Sequence, residues 1–215
     1  MSRFFDCADA DERQRGLAQA AAAARRSELI VLPTDTVYGL GCDAFAEGAV
    51  ASLLEAKGRG RDMPVPVLVG SPRVLDGLAA GVTQRVRDLV EAFWPGALTL
   101  VCLAQSTLTW DLGDSRGTVA IRMPLHPVAI ELLREVGPMG VSSANRSGQP
   151  PATTVDEAAD QLGDSVSVYL DGGPTDAAVP SSIVDVTGPV PVLLRAGAID
   201  ADSLRTVVPD LELHR

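Results

Sequence analysis

Residues Asp11–Leu32, DERQRGLAQAAAAARRSELIVL, decide the fold class. As far as Arg26 the stretch is dominated by alanine, arginine and glutamine, which lose little on entering a helix. The apolar run Leu29-Ile30-Val31-Leu32 that follows is a short buried-strand pattern. Helix followed at once by buried strand starts an α/β rhythm, and the rest of the chain keeps it. Helices are predicted at Glu47–Lys57, Thr83–Phe93, Pro127–Val136, Val155–Leu162 and Asp200–Val207. Between them strands are predicted at Val65–Val69, Leu98–Leu103, Val119–Ile121, Ser165–Leu170, Ser182–Val186 and Val192–Arg195. This pattern argues for a wrapped α/β domain rather than a sandwich or a bundle.

The chain has 215 residues and is 46% hydrophobic, enough for one substantial core. No repeat or low-complexity linker divides it, so one domain is expected over residues 1–215, with its core at about 11–208. Lys and Arg number 18 against 28 Asp and Glu, a formal charge of −10, so any nucleic-acid contact must be local. Cys7, Cys42 and Cys102 are odd in number and lack zinc-site spacing, which suits a reduced, cytoplasmic protein. Neither a leader nor a membrane span is read from the hydropathy.

The unusual chemistry lies between the elements. Lys57-Gly58-Arg59-Gly60-Arg61-Asp62-Met63 gathers charge and two glycines ahead of a strand, as an anion-binding loop would. On this reading Lys57 and Arg59 lie on an exposed loop. The plainer reading is a solvated turn. Pro33-Thr34-Asp35-Thr36-Val37-Tyr38-Gly39-Leu40-Gly41 collects hydroxyls, a carboxylate and glycines after a strand, suiting either a small polar ligand or a turn and helix cap. Ser142–Gly148, Asp171–Thr175 and Pro180-Ser181-Ser182 are further polar loops. Arg122 and Arg195 end strands, where a guanidinium needs a partner or solvent at the rim, with structural ion pairing as the competing reading.

No Walker loop is present. Gly39-Leu40-Gly41-Cys42-Asp43-Ala44 fits the loose dinucleotide fingerprint, but its glycines should follow the strand at once and here Thr34 to Tyr38 intervene. His126, before Pro127, reads as a helix cap or surface residue, and His214 is the penultimate residue, so a Ser/His/Asp nucleophile or a histidine metal site has little support. An enzyme built this way works by positioning and charge stabilisation.

Taken in order, the loops resemble the YrdC/Sua5 family of threonylcarbamoyladenylate synthases. The matching pieces are Pro33–Leu40, Lys57-Gly58-Arg59, Phe93–Leu100, Thr118–Arg122, Ser143–Gly148, Asp171–Pro174 and Leu194–Gly197. The resemblance implies a single YrdC-like domain, a twisted mixed sheet flanked by helices, with a large concave cavity. It implies a nucleotidyltransferase that makes threonylcarbamoyl-AMP and pyrophosphate from L-threonine, bicarbonate and ATP, for N6-threonylcarbamoylation of adenosine 37 of tRNA. Mg2+ is expected through the ATP phosphates, without fixed protein ligands. A tRNA-modifying threonylcarbamoyl transferase complex is the expected partner, with direct tRNA or double-stranded RNA contact as a further expectation.

By the same resemblance Lys57 and Arg59 are catalytic. Lys57, Arg59, Met63, Thr118, Val141, Ser143, Asn145, Pro151 and Arg195 face ATP, and Thr36, Leu68, Arg122 and Ser181 hold L-threonine. The sequence departs from the family at Met63, Leu68, Pro180, Ser142 and Ala196, and it resembles the short form that lacks the extra C-terminal domain. Two competing readings are a non-catalytic double-stranded RNA-binding module and a carbamoyl-handling domain like that of hydrogenase-maturation proteins. Against the first stand 4% aromatic content and the negative charge. Against the second stands the lack of zinc-finger-like and acylphosphatase-like parts.

Overall fold

One mixed sheet organises the molecule, which a computed structural model describes at residues 2–175 and 179–214. In chain order the elements are β1 (Arg3–Asp6), α1 (Ala10–Arg25), β2 (Ile30–Leu32), β3 (Gly39–Asp43), α2 (Ala49–Lys57), β4 (Val67–Leu68), α3 (Leu75–Leu78) and β5 (Ala79–Ala80). They continue with α4 (Gln84–Phe93), β6 (Leu98–Ala104), β7 (Thr118–Arg122), α5 (Pro127–Val136), β8 (Met139–Ser143), α6 (Val155–Leu162), β9 (Val168–Asp171), β10 (Ser182–Asp185), β11 (Val192–Arg195), α7 (Ala201–Arg205) and β12 (Glu212–Leu213). The strand order is β1-β9-β2-β3-β8-β4-β7-β6-β10-β11-β12, with β5 paired to β6.

Local signals explain most boundaries. Asp9 caps α1 by accepting from the Glu12 N–H, Thr83 caps α4, and Thr154 caps α6. Glu157 reaches back from the first turn of α6 to the Thr153 N–H at 2.7 Å, closing that helix start from both sides. Gly58, in the left-handed region at φ 61°, ends α2.

Three expectations need correction. Gly39–Asp43, read as part of a loop, is a central strand between β2 and β8. Its glycines hide the strand pattern, yet close packing demands one at Gly39, where a Cβ would stand 2.7 Å from Val141 Cγ1. The sheet also outruns the expected 11–208 core, since Arg3–Asp6 pairs with β9 and Glu212–Leu213 with β11. Finally, Val65–Val69 shrinks to Val67–Leu68, because Pro64 and Pro66 have no N–H to give a ladder.

The two faces of the sheet are covered differently. On one, Val31, Leu40, Val67, Ile121, Leu100 and Val184 meet apolar side chains of α2, α3, α4, α6 and α7. On the other, Ile30, Leu32, Leu68, Met139 and Val141 lie beneath α1 and α5, which contribute Ala20, Ala24, Val128, Ala129, Leu132 and Leu133. That roof stops at β4. Along β7 and β6 the alternation continues, and Thr118, Ala120, Arg122, Thr99 and Val101 occupy the same face without joining either apolar cluster. No helix among the described residues is long and apolar enough to cross a membrane.

Candidate functional site

The open half of the sheet collects the polar chemistry, and Arg122, at the end of β7, is its most constrained member. It is 7% exposed. Its Nε donates to the Gly96 carbonyl at 3.0 Å, its Nη1 to Thr36 Oγ1 at 3.0 Å and its Nη2 to Asp35 Oδ1 at 2.5 Å. Asp35 Oδ1 also accepts from the Leu125 N–H at 2.9 Å, so one carboxylate ties the Pro33–Tyr38 loop to both β7 and the turn after it. Burial disfavours the charge on Arg122, and Asp35 opposes that effect. Of five guanidinium protons three are held by these contacts, which orients the group and leaves two for a ligand.

Beside it lies a second arginine site. Thr99, adjacent to Arg122 across the β6–β7 pair, places its Oγ1 2.8 Å from Ser181 Oγ. Arg195 donates to the Ser181 carbonyl from Nε at 3.0 Å and from Nη2 at 2.7 Å, and Nη2 also reaches Ser181 Oγ at 3.1 Å. Arg195 owes its direction to a bulge. Ile183 pairs with Arg195 whereas Val184 pairs with Leu193, so Leu194 is an extra residue that returns Arg195 to the face of Ile183 and Thr99. Gly197 lets the chain close behind it, since a Cβ there would stand 2.4 Å from the Pro180 carbonyl oxygen. The Arg195 charge is disfavoured first by burial and then by Arg122, so the two cations feel each other.

Lys57 sits elsewhere than expected. It is the last residue of α2 and is buried, and its ammonium donates to the carbonyls of Ser143 at 2.5 Å and Asn145 at 2.6 Å and to Asn145 Oδ1 at 3.4 Å. The exposed-loop expectation therefore fails for Lys57: the helix ends there as the pattern predicts, but its ammonium turns inward onto the loop after β8, and Gly58 turns the chain away only afterwards. Burial and then the Arg59 charge push Lys57 down to about 8, while three oxygen acceptors surround its protons. Lys57 thus staples the loop after β8, and Asn145 completes the staple by donating from Nδ2 to the carbonyls of Arg146 and Gln149.

Arg59 is half-buried, donates from Nη1 to Ser142 Oγ at 3.0 Å, and has a buried Nε without a partner. Arg61, from the same basic loop, is committed to Asp111 through two bonds of 3.0 and 2.7 Å.

The remaining expected residues separate into two groups. Ser143 lies on the same face as Val141 with no bond from its hydroxyl to other described residues, and Thr118 starts β7 on the open half with its hydroxyl on the Ser115 carbonyl. Leu68 and Val141 are buried in the α1/α5 cluster, so their side chains serve packing, and Met63 and Pro151 stand exposed on loops. Sequence reasoning missed the roles of Asp35 and Thr99. Both stand inside quoted motifs, but only the fold reveals their partners. Tyr38 and the Asp171–Gly173 turn are likewise structural: the Tyr38 hydroxyl donates to the Gly173 carbonyl at 2.6 Å and accepts from the Gly172 N–H. His126 occupies the cap position of α5 without capping it, and burial lowers its basicity. Burial raises the thiols of Cys7, Cys42 and Cys102, the last two to about 12, so none is a ready nucleophile.

Comparison with known proteins gives a consistent picture. The Sua5/YciO/YrdC family model, described as "Telomere recombination", matches residues 22–197. A Mycobacterium tuberculosis protein, provisionally named a threonylcarbamoyl-AMP synthase, is 56% identical over 208 residues, 97% of this chain and 96% of its own. The threonylcarbamoyl-AMP synthase of Bacillus subtilis is 38% identical over 93% of this chain, which spans 58% of that longer protein. P. abyssi Sua5, solved in complex with L-threonine, superposes with a TM-score of 0.92 at 33% identity, covering all of this chain and 62% of that one.

Proposed function

The chain belongs to the Sua5/YciO/YrdC family, and on that premise we propose that the open half of its sheet is the active face of a threonylcarbamoyl-AMP synthase. The enzyme joins L-threonine, bicarbonate and ATP into threonylcarbamoyl-AMP and pyrophosphate. The observation that carries the assignment of the face is the convergence of Arg122, Thr36, Thr99, Ser181 and Arg195 beyond the edge of the helical roof.

The chemistry follows from those groups. The two guanidinium protons that Asp35, Thr36 and Gly96 leave free on Arg122 suit the carboxylate of L-threonine, and fixing that carboxylate orients the amine. The amine captures carbon dioxide derived from bicarbonate, and the carbamate oxygen then attacks the α-phosphorus of ATP while pyrophosphate leaves. Negative charge grows on the phosphate oxygens, and Arg59, whose buried Nε has no partner among the described residues, is our candidate to meet it. Lys57 acts through the Ser143–Asn145 loop that it staples rather than by a free ammonium, which makes it a positioning residue. Ser143, Thr118 and Arg195 are the remaining candidates for nucleotide contacts.

Magnesium enters as part of the substrate, the Mg–ATP complex, where it neutralises phosphate charge. No group of three metal-ligating side chains stands together among the described residues, and Asp35 Oδ1 is taken by Arg122 and the Leu125 N–H. We further propose action in the cytoplasm and transfer of the product to a tRNA-modifying threonylcarbamoyl transferase complex. The test is pyrophosphate release from ATP with Mg2+ and bicarbonate, with and without L-threonine. Threonine-dependent release is expected; none, alongside tight binding of double-stranded RNA, would replace the synthase by the binding-module reading.

A further inference from the structure

Thr99 and Ser181 form a hydroxyl pair whose protons can be counted. Each oxygen carries one proton and two lone pairs. Across their 2.8 Å contact one proton is shared, whichever oxygen donates it. Arg195 is only ever a donor, and its Nη2 occupies a lone pair of Ser181 Oγ at 3.1 Å. One hydroxyl proton is then left without an acceptor among the described residues. The pair thus presents a donor to the open face, and it does so between two guanidinium groups.

The surrounding charge fits the same ligand. Arg122 and Arg195 bring two positive charges, and Asp35, bonded to Arg122, is the carboxylate paired against them. The balance is one positive charge, suited to a single negative one. Thr99 is 3% exposed and Ser181 6%, so the pair is a built, desolvated feature rather than a wet surface hydroxyl. It is also held from behind: the Ser182 N–H donates to the Ala97 carbonyl at 2.9 Å, and Ser182 Oγ accepts from the Gly197 and Ile199 N–H groups at 3.0 Å each.

We propose that Thr99 completes with Ser181 a hydroxyl pair, oriented by Arg195, whose one free proton is donated to an oxygen of a singly charged anionic group, a carboxylate or bicarbonate. The proposal rests on the synthase reading for its two sources of that oxygen, the carboxylate of L-threonine and bicarbonate. Without the Thr99 hydroxyl the pair loses either the free proton itself or the bond that aims it.

The test compares wild type with Thr99→Val, which keeps the shape and removes the hydroxyl, and with Thr99→Ser, which restores it; Thr99→Ala serves if the valine variant does not fold. Loss of an aimed hydrogen bond to a charged group is expected to raise one KM by roughly tenfold or more. If the KM for L-threonine rises while those for bicarbonate and ATP hold, the threonine carboxylate occupies the pair. If only the bicarbonate KM rises, carbonate does. In either case Thr99→Ser should return the value to near wild type. An unchanged valine variant, an equal rise in all three constants, or a serine variant that fails to rescue would overturn the proposal. Calorimetric titration of L-threonine and of bicarbonate into wild type and Thr99→Val separates the two readings. Weaker binding of either ligand by the variant, in a protein that releases no pyrophosphate, sinks the synthase reading and keeps the hydroxyl-pair site. Normal turnover with a valine variant that binds and reacts like wild type does the reverse.

Discussion

Two halves of one sheet face carry opposite chemistry on the same pleat. Under α1 and α5, Ile30, Leu32, Leu68, Met139 and Val141 are apolar and closed to solvent. Past β4 the alternation brings Thr118, Ala120, Arg122 and Thr99 to the same side, with Ile183 and Arg195 beyond them. The strands do not differ in kind; the roof does. Beneath a helix an unpaired polar group costs its desolvation, so apolar residues fill the space. Where the roof ends, a guanidinium can be held by Asp35, Thr36 and Gly96 and still offer protons outward. The proposed active face is thus the part of the sheet that the helical roof leaves uncovered.

The comparison is tested hardest at Arg122. Arg122→Ala should lower kcat/KM for L-threonine by at least about a hundredfold, and it leaves Asp35 without its cation, which costs roughly 3–5 kcal/mol of stability by analogy with broken buried pairs. A variant with normal threonine KM would show that the open half is not the substrate face. On the covered half the reverse signature is expected. Leu132→Ala, in α5 and fully buried, should cost about 2–5 kcal/mol in denaturant unfolding and leave both KM values in place. A change in threonine KM there would mean that the two halves are not independent.

Smaller effects sharpen the boundary. Asp35→Asn keeps an acceptor for the Leu125 N–H but removes the charge facing Arg122, so the KM for threonine should rise by about tenfold, with ATP little affected. Parallel losses for both substrates would make Asp35 a general stabiliser instead.

The mildest test is pH. Lys57 gives up its proton near 8 in the folded protein against an ordinary value of 10.5, so between those values the unfolded chain binds more protons and this group's contribution to stability rises with pH. Over the same range the Ser143–Asn145 loop loses a charged donor, and the KM for ATP should climb a few-fold above pH 8 while stability does not fall. An ATP KM that stays flat from pH 7 to 9 would separate Lys57 from the nucleotide.

Parts of the candidate site are legible as motifs because their signals are short-range. The motifs around Thr36, Lys57, Arg59, Arg122, Ser143, Ser181 and Arg195 stand out in the chain, and helix starts such as Thr154 follow from capping chemistry that spans three residues. The strand Gly39–Asp43 was not legible, since its two glycines erase the apolar alternation and are explained only by side chains of neighbouring strands, Val141 at Gly39 and Met139, Leu32 and Val141 at Gly41. The burial of Lys57 is hidden for a related reason: a lysine at a helix end next to Gly-Arg-Gly-Arg reads as exposed until its acceptors, 86 and 88 residues away, are known.

By itself, then, the sequence determined the α/β alternation, the helix caps and the order of polar motifs, all products of local propensity and nearest-neighbour hydrogen bonding. Tertiary structure alone decided which half of the sheet is roofed, that the Leu194 bulge turns Arg195 toward Thr99, and that Asp35 rather than a substrate holds one edge of Arg122. Those outcomes depend on strand register and on contacts between segments far apart in the chain. A one-residue change of register exchanges the two faces of a strand, so no local pattern can specify them.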